Sequence, residues 1–147
     1  MSGFIDTNIF VYATYPAFPE HKVALKFLRA CRKSHSQYAM SWSVVYEYLR
    51  VVTQPRLFPS GAILFEHARE NVAKFMEAPN VMIVQELPNH LDTLHRIVHQ
   101  CGKSRGNILH DAHHVALMTE HGISTIYTAD TDFRLFANIT LINPLEA

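Results

Sequence analysis

Apolar positions along the chain switch between short unbroken runs and stretches at helical spacing, and the switching predicts alternating strands and helices. Gly3-Phe4-Ile5-Asp6 reads as a strand ending in a carboxylate. Thr7-Asn8 turns the chain, and Ile9 to Ala13 begins a short helix that Pro16 and Pro19 stop. Glu20 to Ser34 is helical, with Val23, Phe27, Ala30 and Cys31 on one face and Lys22, Lys26, Arg29 and Lys33 elsewhere. Tyr38 to Trp42 is a second strand. Ser43 is the expected cap of the next helix, whose buried stripe is Val44, Val45, Tyr48, Leu49 and Val52, and Glu47 sits at the edge of that stripe. This helix ends near Gln54-Pro55, and another starts at Pro59-Ser60-Gly61 and runs to about Glu77. Val81 to Gln85 is a third strand, Asn89 to Gln100 a helix, and Gly102 to Gly106 a polar, basic loop.

The stretch from Asn107 to Phe133 organises the rest. Asn107 is a good N-cap, and Ile108, Leu109, Ala112, Val115, Ala116 and Thr119 follow at helical spacing until Gly122 supplies a stop. Ser124 to Thr128 is rich in β-branched and aromatic residues and ends in Ala129-Asp130-Thr131-Asp132. Asp111 lies at the border of the helix's apolar face, three residues after Ile108 and four before Val115, so its carboxylate can lean toward the end of a covered sheet. A helical turn from Phe133 to Phe136 and a strand from Ile139 to Ile142 complete the chain. Strands alternating with helices imply a three-layer α/β/α fold around a parallel sheet, joined by right-handed crossovers. Ligands of such sheets sit at the carboxyl ends of the strands.

A length of 147 residues suits one domain spanning 1–147, and 48% hydrophobic with 18% charged residues is an ordinary globular composition. Thirteen basic residues balance thirteen acidic ones, so a nucleic-acid partner must be held by local patches and not by a global field. The N-terminus lacks the basic start and apolar run of a signal peptide, and no apolar stretch is long enough to span a bilayer. Cys31 and Cys101 show neither metal nor disulfide spacing and read as buried thiols of a reducing compartment, which makes the protein cytoplasmic by expectation.

Asp6, Glu47, Asp111 and Asp130 share one description: each stands at a strand end or on the inner edge of a helix. Singly, three of them have a plain structural use: Asp6 as a helix cap, Glu47 as a surface residue, and Asp130, like Asp132, as a turn former. Asp111 has none, because Asp is a middling helix former and gains nothing at a half-buried interior position. Asp6-Thr7-Asn8 after the first strand, the helical Glu47, Gly106-Asn107-Ile108-Leu109-His110-Asp111-Ala112 and Thr128-Ala129-Asp130-Thr131-Asp132-Phe133 together resemble the motifs of PIN-domain ribonucleases. In length and spacing they are most similar to the VapC toxins of bacterial toxin–antitoxin pairs. The resemblance runs from Phe4 to Pro144, and Arg56 to Gln85 carries its least defined part.

The resemblance implies a PIN-like (Rossmann-like) domain with a five-stranded parallel sheet. Asp6, Glu47, Asp111 and Asp130 would be catalytic, and Asp6, Asp111 and Asp130 would hold Mg²⁺ or Mn²⁺. Thr7, Asn8 and Thr128 match supporting polar positions, and Asp132 matches a more variable acidic one. The implied activity is a metal-dependent endoribonuclease that cleaves RNA with metal-activated water, acting as the toxin of a VapBC-type system. A homodimer and a cognate VapB-like antitoxin are implied as well, with Tyr12, Tyr15, Phe18 and Phe27 as candidates for those surfaces. The alternatives are a PIN nuclease of RNA maturation or decay without an antitoxin, and an inactive protein-binding module.

The chemistry accounts for the acids. Phosphodiester hydrolysis needs an activated water and relief of negative charge on the phosphoryl oxygens, and hard divalent cations supply both. Two unit charges ~4 Å apart repel by about 4 kcal/mol at an effective dielectric of 20. A convergent carboxylate cluster therefore calls for a cation or for proton uptake. Lys103 and Arg105, in the loop before the Asp111 helix, and Arg134, after Asp132, are the candidate phosphate contacts for RNA. His110 and His114 at i, i+4 have zinc spacing. They lack the glutamate of H-E-x-x-H and should project away from the apolar stripe, so the histidines read as surface residues.

Overall fold

The computed structural model describes residues 3–55 and 61–146. Five strands form one sheet: β1 (Gly3–Ile5), β2 (Tyr38–Ser41), β3 (Val81–Val84), β4 (Thr125–Tyr127) and β5 (Thr140–Ile142). Their order is β3-β2-β1-β4-β5 and every pairing is parallel. Between them run α1 (Thr7–Tyr12), α2 (His21–Lys33), α3 (Trp42–Val52), α4 (Phe65–Met76), α5 (His90–Cys101) and α6 (Asn107–Glu120), with a 3₁₀ turn at Thr131–Leu135. Right-handed crossovers in this strand order place α1 to α4 on one face and α5 with α6 on the other. Consistently, α1 packs on α2 and α3, α3 on α4, and α5 on α6.

Central β1 is covered on both faces, so Phe4 and Ile5 are fully buried and the strand is apolar without alternation. The chain builds outward from β1 through β2 to β3, then returns to add β4 and β5 on its other flank. The ends of β1 and β4 therefore border the point where strand order reverses, the crevice in which open α/β sheets bind ligands.

The predicted elements recur with shifted edges, and four differences stand out. On α2 the buried residues are Ala24, Leu28 and Cys31, whereas Val23 and Ala30 are exposed. Apolar residues cover a wide arc of this helix, and packing selects its centre one position from the expected stripe. Phe27 still finds a partner in Tyr127, with ring centroids 5.0 Å apart. The cap of α3 is Ser41, whose hydroxyl accepts from the Val44 amide, while Ser43 lies inside the first turn and bonds the Ser41 hydroxyl at 2.6 Å. Gly106, at φ +69°, precedes α6 in place of Asn107, which is its first helical residue. Helix α4 begins at Phe65; the expected start at Pro59-Ser60 lies outside the described residues, and Gly61 to Leu64 are not helical.

The largest correction concerns His114. It is 1% exposed and packs against the rings of Phe4 and Phe133. Five consecutive residues of α6, His114 to Met118, are buried, so this part of the helix is covered around its circumference until Thr119 emerges exposed. A single apolar stripe does not describe a helix in that position. No helix among the described residues is long and apolar enough to cross a membrane.

Candidate metal centre

Asp6 leaves β1 and caps α1. Its Oδ1 accepts the Thr7 amide at 2.7 Å, and its Oδ2 accepts the Thr128 hydroxyl at 2.8 Å and the Asn8 side-chain amide at 3.3 Å. Thr128, fully buried just beyond β4, is the hub of this layer. While donating to Asp6, its hydroxyl accepts from the Asn8 side chain at 2.9 Å and from the Asp130 amide at 3.0 Å. Asn8 closes the bridge between strands by accepting the Ala129 amide at 3.2 Å. One hydroxyl and one carboxamide thus fix where both strand-end aspartates stand, across a sequence separation of more than a hundred residues. Asp130 in turn accepts the Asp132 amide at 2.9 Å, which turns the chain into the 3₁₀ segment.

Asp111 enters from α6 and is buried at 8% exposure. Carboxylate oxygens of Asp111, Asp130 and Asp132 lie within 4.8 Å of one another. Glu47 comes from α3 on the far wall, where it accepts the Thr7 hydroxyl at 3.1 Å and pairs with His110 Nε2 at 2.6 Å. Asp6, Glu47, Asp111 and Asp130 line a single cleft of about 300 Å³, together with Thr7, Asn8 and His110 and an apolar wall that includes Tyr12 and Phe18. Tyr15 belongs to the core instead, at 7% exposure.

The electrostatics follow from this crowding. Burial, opposed by hydrogen bonds from Thr128 and Thr7 and reinforced by Glu47 and Asp130, raises the Asp6 carboxyl to about 6. Asp111 rises to about 7, first through burial and then through the charges of Asp130 and Asp6. Glu47 moves the other way, because the hydrogen bond from His110 favours its anion, and His110 is correspondingly raised. Burial, with His110 and His113 nearby, lowers His114 to about 3 and keeps it neutral, with Nε2 3.8 Å from Asp6 Oδ1 and neither ring nitrogen hydrogen-bonded.

All the acids at the open side of the cleft offer hard oxygen donors, the set that Mg²⁺, Mn²⁺ and Ca²⁺ prefer. Two carboxyls pushed toward neutrality show that the cluster, left to itself, takes up protons. A divalent cation relieves the same repulsion, so the residues present fit such an ion.

A PIN-domain family model matches residues 3–139. The chain belongs to the PIN-domain family. Among curated PIN proteins it is similar to Ribonuclease VapC48 of Mycobacterium tuberculosis, 40% identical over 147 residues and covering 99% of each chain. Ribonuclease VapC37 of the same species is 29% identical over 140 residues, covering 95% of each. Two solved structures share the PIN fold: VapBC2 of Rickettsia felis bound to a promoter DNA fragment, at TM-score 0.68 and 20% identity over 97% of this chain and 98% of that one, and M. tuberculosis VapC20, a sarcin–ricin-loop-cleaving toxin, at 0.65 and 18% over 95% and 99%. PIN nucleases as a group depend on divalent metal.

Lys103, Arg105 and Arg134 are exposed, and none lines the acidic cleft. The cation beside Glu47 is Arg50, which shares a surface depression with Tyr46, Asn107 and His110. Arg50 follows Glu47 by three residues, hence on the same helical face, a spacing that was legible in the sequence. The pairing of His110 with Glu47 crosses between helices and left no local signal.

Proposed function

We propose that this protein is a divalent-metal-dependent endoribonuclease, the toxin of a VapBC-type toxin–antitoxin pair, working in the cytoplasm. The observation that carries the reading is the meeting of Asp6, Asp111, Asp130 and Asp132 at the switch point of the sheet, with Glu47 across the cleft. Similarity to VapC ribonucleases over 99% of the chain supports the activity, and toxin–antitoxin complexes among the proteins of like fold support the partner.

Asp6, Asp111 and Asp130 hold Mg²⁺ or Mn²⁺, and Asp132 stands at the rim of the same set. When bound, the cation offsets charge on the scissile phosphate and lowers the pKa of water. Thr128 and Asn8 keep the Asp6 and Asp130 carboxylates in place. Glu47, held anionic by His110, is positioned to accept a proton from the attacking water. Single-stranded RNA lies along α3, where Tyr46, 72% exposed, offers a stacking surface and Arg50 a phosphate contact; Lys103, Arg105 and Arg134 engage phosphates farther along. A VapB-like antitoxin blocks the cleft against its Tyr12 and Phe18 wall, and the toxin pairs as a homodimer.

The test is direct. Purified protein should cut RNA in Mg²⁺ or Mn²⁺ and stop in EDTA, while Asp6→Ala and Asp111→Asn should be folded and inactive. Wild-type rates in both variants would remove these residues from the chemistry. Sequencing the RNA ends made in cells after expression identifies the substrate.

A further inference from the structure

On the side of α6 turned away from the acidic cleft, three more potential ligands converge. Glu86 stands in the segment after β3, His90 in the first turn of α5 and His113 on α6. One ligand atom from each lies within 4.8 Å of the other two. Glu86 Oε1 and His113 Nε2 are 2.7 Å apart, and the His90 and His113 rings meet edge to face with centroids 5.3 Å apart.

What separates this group from a chance gathering of surface histidines is the residue behind it. The Glu120 side chain, only 2% exposed, reaches out from the last turn of α6 and binds two partners. Its Oε2 accepts the Leu87 amide at 2.9 Å, and its Oε1 meets His90 Nδ1. A carboxylate on Nδ1 fixes the tautomer that carries the proton there, orients the ring, and leaves Nε2 with its lone pair outward. The same carboxylate–histidine relay stands behind the metal-binding histidines of many zinc sites. The Leu87 amide bond also holds the backbone beside Glu86.

We propose that Glu86, His90 and His113 form a second metal site, selective for a borderline transition ion such as Zn²⁺ and separate from the acidic cleft, with Glu120 as the residue that orients His90. Two imidazoles and one carboxylate suit Zn²⁺, whereas Mg²⁺ favours the all-oxygen set on the other side of the helix. Zinc–nitrogen and zinc–oxygen bonds of about 2.0–2.1 Å put tetrahedral ligand atoms about 3.4 Å apart. His113 and Glu86 part by a fraction of an ångström from their present hydrogen bond and His90 closes in, movements within the reach of side-chain torsions. Water takes the fourth position, on the solvent side where Glu86 is exposed. The ion ties the segment after β3 and the start of α5 to α6, the helix that carries Asp111.

Equilibrium dialysis of the full-length chain against Zn²⁺, together with its melting temperature with and without Zn²⁺, tests the assignment. Wild type should bind zinc and melt at higher temperature with it. His90→Ala/His113→Ala should lose one equivalent of zinc and that increase. Glu120→Gln should weaken binding by about 10–100-fold, the usual loss when a residue behind a ligand is changed. His110→Ala, altered at the nearby Glu47–His110–His114 group, should keep the zinc. Glu86→Gln changes an exposed side chain and leaves the fold alone, so its weakened binding is decisive even if the double variant does not fold. Unchanged stoichiometry and affinity in Glu86→Gln would overturn the assignment, as would loss of the bound ion in His110→Ala.

Discussion

The two sides of α6 meet the problem of crowded charge in opposite ways. Asp111 and His113 are two residues apart on one helix and so point about 200° away from each other. On the Asp111 side, carboxylates face carboxylates, and burial with mutual repulsion lifts Asp111 to about 7 and Asp6 to about 6. On the His113 side, each acid faces an imidazole, and the His113 hydrogen bond lowers Glu86 instead. The first arrangement is incomplete without a cation or protons; the second is self-satisfied and exchanges one set of partners for another on binding metal. A cluster's need for an ion is therefore read from what its members do to one another's charge and not from how many acids it holds.

The comparison can be broken or sharpened by experiment. The largest effect should come from Asp111→Asn, which removes one oxygen anion from the cleft: RNA cleavage should fall at least about 100-fold, while metal-free protein becomes no less stable because like-charge repulsion is relieved. Next, Thr128→Val keeps every acid and removes the hydroxyl that joins Asp6, Asn8 and Asp130. Cleavage rate should fall about 10–100-fold, and Thr128→Ser should restore most of it.

Followed against pH, the stability difference between wild type and Asp111→Asn should isolate Asp111. Its carboxyl titrates near 3.8 when unfolded and near 7 when folded, so between those values the folded state binds the additional proton. Asp111 thus favours folding most below about pH 4, and that contribution is lost as pH rises through about 7. The melting temperature of EDTA-treated protein should drop over this interval relative to Asp111→Asn, and Mg²⁺ or Mn²⁺ should restore it at neutral pH. A flat difference between the two proteins would show that the acids do not feel each other.

A smaller change is expected for Lys103→Ala/Arg105→Ala. If both contact phosphates, the slope of log affinity for single-stranded RNA against log salt should flatten by about 1.4. Smallest of all, Glu86→Gln should leave Mg²⁺-dependent cleavage within about twofold of wild type, because it belongs to the self-satisfied side. A large loss there would merge the two sides into one functional unit.

Alternating apolar rhythms, Gly122 and the prolines located the strands and helices to within a few residues, because periodicity and turn chemistry are local properties. The family followed from motif order: Asp6-Thr7-Asn8, Glu47, Asp111 and Thr128-Ala129-Asp130 stand in sequence on the elements that carry them. Where several apolar residues spread around a helix, as on α2, composition left the buried face open by one position and only neighbouring helices chose it.

Chain chemistry by itself determined that acids would stand at strand ends and on one helix edge, since capping, turn formation and amphipathic spacing act within a few residues. Tertiary structure alone decided that Thr128 would join Asp6 to Asp130, that His110 would hold Glu47, that His114 would be enclosed, and that Glu86, His90 and His113 would meet across three elements. Those contacts depend on strand order and helix rotation, which are set by the packing of the whole core and leave no mark at the spacing of neighbouring residues.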